Sequence, residues 1–288
     1  MYDMRKSALL LVVTIVSIGA APQDPLTRAR QLYNQQMYEA AIEAATAAQR
    51  SPRTVEAATL VLARAHLERF RQSSDAADLA AAHSELQQIH AAALAPLDRI
   101  DLVIGLGEAL YFDDRAGAAA EEFELALNRP VEKDEKDAPD EKRVRTRERV
   151  LDWWASALDR QAQLGSESER RPLYARIVIR MEDELRHDAG SAVASYWLVA
   201  GARGSGDLER AWDAALAGWV RASLAGDRSA ALRADLERIV SQALIPERAR
   251  LMSPAGGSGA GGAGNNLAQA VAAMRGQWDA LKQTWAAP

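Results

Sequence analysis

Cysteine is missing from all 288 residues, which removes disulfides, thiolate metal sites and cysteine nucleophiles together. Aromatic residues are few, at 6%. β-Branched ones are sparse as well, and no stretch alternates polar and apolar residues as a half-buried strand would. An excess of basic charge is also lacking: 35 Lys and Arg stand against 40 Asp and Glu, a formal net charge of −5. Nucleic-acid binders carry a basic face, so that class of partner is not expected. Only four histidines are present, and His83 and His90 lie two helical turns apart, about 10 Å, too far to share one ion. The acidic pairs Asp113-Asp114, Glu121-Glu122 and Glu182-Asp183 fall at turns or on polar helix faces. General acid–base work needs a carboxylate in an apolar pocket, and no serine has the context of a nucleophile elbow. No catalytic residue, metal site or cofactor is expected.

What is present is alanine and leucine, which dominate a 48% hydrophobic composition and cost least in a helical backbone. From Leu26 to about Met252, apolar residues recur at three- and four-residue spacing. Turn chemistry interrupts them at Ser51-Pro52, Ser73-Ser74-Asp75, Ala95-Pro96, Asp113-Asp114, Arg129-Pro130, Gly165-Ser166, Gly190-Ser191, Gly204-Ser205-Gly206-Asp207 and Gly226-Asp227. Short turns between helices make antiparallel neighbours. The sequence predicts an all-α fold over residues 22–252.

The N-terminus reads differently. Arg5 and Lys6 precede an apolar run from Ala8 to Ile18, followed by the small residues Gly19, Ala20 and Ala21. That is the layout of a secretory signal peptide over residues 1–21. The run is several residues short of the ~20 a spanning helix wants, although a retained N-terminal anchor is the alternative. Export to the periplasm follows, or secretion, with membrane contact not expected once the signal is cleaved.

Within the helical region, Leu106-Gly107-Glu108-Ala109-Leu110-Tyr111, then Ala119, Phe123, Ala126 and Leu127, closed by Pro130, resembles the tetratricopeptide repeat. Gly107 and Ala119 are small where two helices cross closely, and Phe123 fills the gap towards the next hairpin. Weaker copies are Tyr33, Tyr38, Ala41, Ile42 and Ala48 early in the chain, and Trp197, Leu198, Gly206, Asp207, Leu208 and Ala211 late in it. The resemblance implies a right-handed α-solenoid of four to five hairpins with a concave groove for a peptide or partner protein. In that register Asp101, Ile104, Glu108 and Tyr111 of one repeat, and Arg30, Tyr33 and Asn34 of the first, face the groove. The family's clamp for a peptide's terminal carboxylate uses lysine and asparagine at such positions. Ile104 and Glu108 stand there instead, so a C-terminal carboxylate is not the expected ligand.

Two segments break the array. Glu132 to Asp137 is a mixed charge run leading to Pro139 and the basic Lys142, Arg143, Arg145, Arg147 and Arg149. It reads first as a solvated loop opening a helix, and second as an electrostatic docking patch. Residues 253–266 are rich in glycine, serine and alanine and read as a flexible tether. Gly257, Gly259 and Gly262 match a dinucleotide fingerprint only formally, because no strand precedes them.

None of the seven tryptophans precedes residue 150. Val150, Trp154 and Leu158 make an i, i+4, i+8 stripe expected in the core, Trp212 and Trp219 are expected to pack the last hairpin, and Trp153 is free to be exposed. Residues 267–288 carry Leu267, Val271, Met274, Trp278, Leu281 and Trp285 at spacings of three and four, an amphipathic helix. Such a stripe needs a surface, either its own solenoid or a partner. The functional expectation is a non-catalytic protein–protein interaction scaffold of the bacterial cell envelope, binding an unidentified envelope protein or peptide. The alternative is a peptide- or glycan-binding module.

Overall fold

A computed structural model of the chain describes residues 23–129, 140–252 and 260–286. The proposed signal peptide, Pro130 and the charge run that follows it lie outside these residues. Among the described residues every regular element is helical and no strand occurs.

Helices come in consecutive antiparallel pairs. α1 (Pro25–Asn34) packs with α2 (Tyr38–Ala48), α3 (Val55–Ser73) with α4 (Ala76–Gln88), and α5 (Pro96–Phe112) with α6 (Ala116–Asn128). α7 (Asp140–Leu164) pairs with α8 (Glu167–His187), and α9 (Ala192–Gly204) with α10 (Leu208–Arg221). α11 (Ser229–Ile239) continues through a π-helical turn (Val240–Leu244) into α12 (Ile245–Met252), and α13 (Ala260–Thr284) closes the chain. Each even-numbered helix also packs on the next odd one, and α1, α3, α5, α7, α9 and α11 lie side by side as one layer.

Local chemistry sets the breaks. Asp24 accepts the Thr27 N–H at 3.0 Å and Pro25 occupies the first turn of α1. Ser166 and Glu169 cap α8 reciprocally. Gly206 takes φ +86°, after which Asp207 accepts the Arg210 N–H at 3.0 Å to start α10. The late glycine-aspartate turn therefore forms as its residues require.

Packing follows the small residues. A Cβ on Gly107 would lie 2.6 Å from Phe123 Cε1, so α5 and α6 close only because that position is glycine. Ala119 and Phe123 are wholly buried beside it. Leu106, the leucine of the same pair, is by contrast exposed, a departure from what the repeat resemblance implies. Val150, Trp154 and Leu158 are buried as their stripe predicts. Trp153 is not exposed: its ring stacks on Phe123 at 5.9 Å and meets Tyr111 edge-on at 5.2 Å.

The C-terminal segment is reassigned at its start. Helical backbone begins at Ala260, so residues 260–266 belong to α13 rather than to a tether. α13 packs on α10 and α12, burying Met274 and Trp278, while Leu267, Val271 and Leu281 are half-buried. Trp285, expected in the same stripe, is 49% exposed.

Candidate functional site

The layer of odd-numbered helices leaves a groove of about 770 Å³ over its N-terminal half. Arg30, Tyr33 and Asn34 come from α1, Leu60, Val61 and Arg64 from α3, Asp98 and Asp101 from α5, and Arg145 and Arg149 from α7. Side chains from four helices thus converge on one surface.

Helical spacing explains the convergence. Arg30 and Asn34, Asp98 and Asp101, and Arg145 and Arg149 are each three or four residues apart, so each pair shares a helix face. Ion pairs then knit the faces together. Arg30 Nη2 donates to Asp98 Oδ1 at 2.8 Å, and Arg64 Nη1 reaches Asp101 Oδ1 at 2.6 Å. Arg149 approaches the same Asp101 oxygen at 3.7 Å, and Arg145 lies 3.5 Å from Asp227. Arg64 also lies over the Tyr33 ring, 4.8 Å from its centroid.

Beneath this surface sits Glu108, 1% exposed. Burial pushes its carboxyl up to about 7, against the attraction of Arg64 and Arg149. Burial likewise raises the Tyr33 hydroxyl. Among the described residues, both Glu108 oxygens, Arg64 Nε and Nη2, Arg149 Nε and the Tyr33 hydroxyl have no hydrogen-bond partner. A charged floor with so many unsatisfied atoms is costly unless something else compensates.

Of the groove residues expected from sequence, Arg30, Tyr33, Asn34 and Asp101 are brought together here. Ile104 and Glu108 are not on the surface, since they point inward between helices and are buried. Tyr111 lies elsewhere, half-buried against Trp153 with Arg160 over its ring at 4.9 Å. The register therefore holds for one turn of α5 and fails for the next two. Arg145 and Arg149, read first as part of a solvated face, instead form one wall. Arg64 and Asp98 were missed outright. Their signal was the spacing of charged residues on successive odd helices.

A second cluster lies at the far end of the chain. The Trp278 ring of α13 sits 5.2 Å from that of Trp219 and 6.3 Å from that of Trp212. Its Nε1 donates to Glu237 Oε2 of α11 at 2.8 Å, and Lys282 Nζ reaches the same oxygen at 2.8 Å. Burial pushes the Glu237 carboxyl up, but hydrogen bonds from Lys282, Ser241 and Trp278 outweigh it and hold the group below the usual range. Among the described residues, none of α13 lines the groove of α1, α3, α5 and α7.

His66 is half-buried, with Nδ1 2.9 Å from Asp78 and Nε2 3.6 Å from Glu85. Burial raises the Glu85 carboxyl to about 7. Among the described residues no group of three histidine or acidic side chains is placed to hold a metal, and no helix is long and apolar enough to cross a membrane. Comparison of the chain with protein-family models, curated proteins and solved structures returns no match.

Proposed function

We propose that this protein is a non-catalytic interaction scaffold, a right-handed solenoid of tetratricopeptide-like hairpins that binds a partner protein or peptide in its groove. The observation that carries the reading is the convergence of side chains from α1, α3, α5 and α7 on one open surface of about 770 Å³. Stacked hairpins bury their hydrophobic faces against each other and leave one helix layer to contact a partner. In this reading the N-terminal segment is a cleaved signal, the site of action is the periplasm or another exported location, and α13 closes the C-terminal end of the array.

The groove offers Tyr33 as its one aromatic among the described lining residues. Glycan sites rely on stacking platforms, so a polypeptide ligand is the better supported of the two.

The test is capture of a partner from envelope extract by three forms: full length, a form ending at Pro254, and full length with Asn34→Trp. Asn34 is exposed on the groove wall, so a bulky ring there obstructs the groove without entering the core. Capture abolished by Asn34→Trp at unchanged melting temperature supports groove binding. Capture that survives it and is lost with α13 would move the function to the C-terminal helix. Mass analysis of the mature N-terminus checks signal cleavage: an intact Met1 start would remove the cleaved-signal assignment.

A further inference from the structure

The groove is basic on a chain that is acidic. Four arginines line it, Arg30, Arg64, Arg145 and Arg149, against two carboxylates, Asp98 and Asp101, an excess of two positive charges (four minus two). Counting Asp227, which pairs with Arg145 just outside it, the excess is still one, while the chain as a whole carries −5. The arginines are also oriented in advance. Asp98 holds Arg30 and Asp101 holds Arg64, with Arg149 alongside, so their forks lose little freedom on meeting a ligand. Arg64 is buried at the floor with Nε and Nη2 lacking hydrogen-bond partners among the described residues. Leu60, Val61 and Leu97 lie between the charges, giving apolar contact to the rest of a chain.

Resting on the scaffold reading above, we propose that the groove takes an acidic polypeptide segment, its side-chain carboxylates seated on Arg30 and Arg149, and that this binding is coupled to protonation of Glu108. Arginine forks match carboxylates bidentately, and the alternation of arginine with aliphatic side chains suits a segment carrying both acidic and small apolar residues. Glu108 provides the coupling. It is buried in α5 with both oxygens unpartnered among the described residues, within electrostatic reach of Tyr33 of α1, Arg64 and Glu68 of α3, Asp101 of α5 and Arg149 of α7. An incoming carboxylate competes for Arg149 and repels an ionised Glu108, so the complex holds the Glu108 proton more tightly than the free protein does. By linkage the affinity rises as pH falls through neutrality.

The test is fluorescence anisotropy on the full chain with a labelled, C-terminally amidated peptide of six Glu-Ala repeats. A Lys-Ala peptide is the charge control and citrate the small-anion competitor. The acidic peptide is expected to bind at least tenfold tighter than the basic one, and to weaken as salt screens the charges. Arg30→Gln and Arg149→Gln, both on accessible side chains, should each weaken it about tenfold or more. Between pH 8 and pH 6 the affinity should rise about threefold to tenfold, and Glu108→Gln should abolish that rise. Titration calorimetry of the unaltered protein in two buffers of different ionisation enthalpy reads the same proton uptake without the variant. Equal binding of both peptides, indifference to the arginine substitutions, or displacement by equimolar citrate would overturn the acidic-segment assignment. Proton uptake of zero would overturn the coupling. Failure here with partner capture still blocked by Asn34→Trp would leave the scaffold reading intact, so the two can fail separately.

Discussion

Replacing Trp278 by alanine should release α13 from the array without unfolding the rest. Trp278 is 1% exposed, flanked by Trp212 and Trp219, and bonded through its indole N–H to Glu237. Truncating a core tryptophan costs about 3–5 kcal/mol in ordinary cores. A helix of this size is marginal by itself in water, and what holds it is a short list: Met274 and Trp278 buried, Leu267, Val271 and Leu281 half-buried, and the Lys282–Glu237 pair. Of these, the exposed ion pair contributes at most about 1 kcal/mol. The loss therefore consumes most of the docking energy of one helix, and it should saturate once the helix detaches. Calorimetry should show the variant and a form ending at Met252 melting at nearly the same temperature, both below the parent. Hydrogen exchange should show protection lost over residues 260–284 and kept in α7 to α10. Exchange protection of α13 equal to the parent's would refute the reasoning, and so would a truncated form that melts no lower.

Three further outcomes follow from named contacts. Gly107→Ala should lower stability by about 1–3 kcal/mol through overpacking against Phe123, despite alanine's better helix propensity; urea denaturation checks it, and a more stable variant would mean that α5 and α6 slide apart freely. Glu108 has a folded value near 7, above its unfolded value, so the folded chain binds the extra proton and this group's contribution to stability falls as pH rises through that window. Above neutrality the burial of its charge costs about 3 kcal/mol, and Glu108→Gln should raise stability at pH 8 while changing little at pH 5; parallel denaturation profiles for the two proteins would contradict this. Glu237 is held below its ordinary range, so its contribution is present above the unfolded carboxylate value and lost as pH falls through the folded one. Acid should then undock α13 first, read as a red shift of tryptophan emission before helix content falls.

The sequence conveyed helices and their breaks because both are local. Asp24, Ser166 and Asp207 satisfy backbone donors within three residues of themselves, and such signals survive without knowledge of the fold. The core stripe Val150-Trp154-Leu158 was legible for the same reason: its period is that of one helix. Trp153 was not, because its burial depends on Tyr111 and Phe123 arriving from α5 and α6. The beginning of α13 at Ala260 was also hidden, since glycine and alanine in that stretch read as a tether.

The groove tests the limit of local inference most sharply. Repeat register placed Arg30, Tyr33, Asn34 and Asp101 on it, yet sent Ile104 and Glu108 to the same surface. Positions 101, 104 and 108 are each about one helical turn apart, and α5 is packed by α3, α4, α6 and α7. Ile104 and Glu108 fall on its enclosed faces and are buried, charged or not, while Leu106 between them stays exposed. That is how a glutamate came to sit under Arg64 and Arg149, and why its protonation tracks what occupies the groove above it. Charge of one sign at the surface and a titrating group of the other sign beneath it are consequences of one packing event, which no single helix of this sequence encodes.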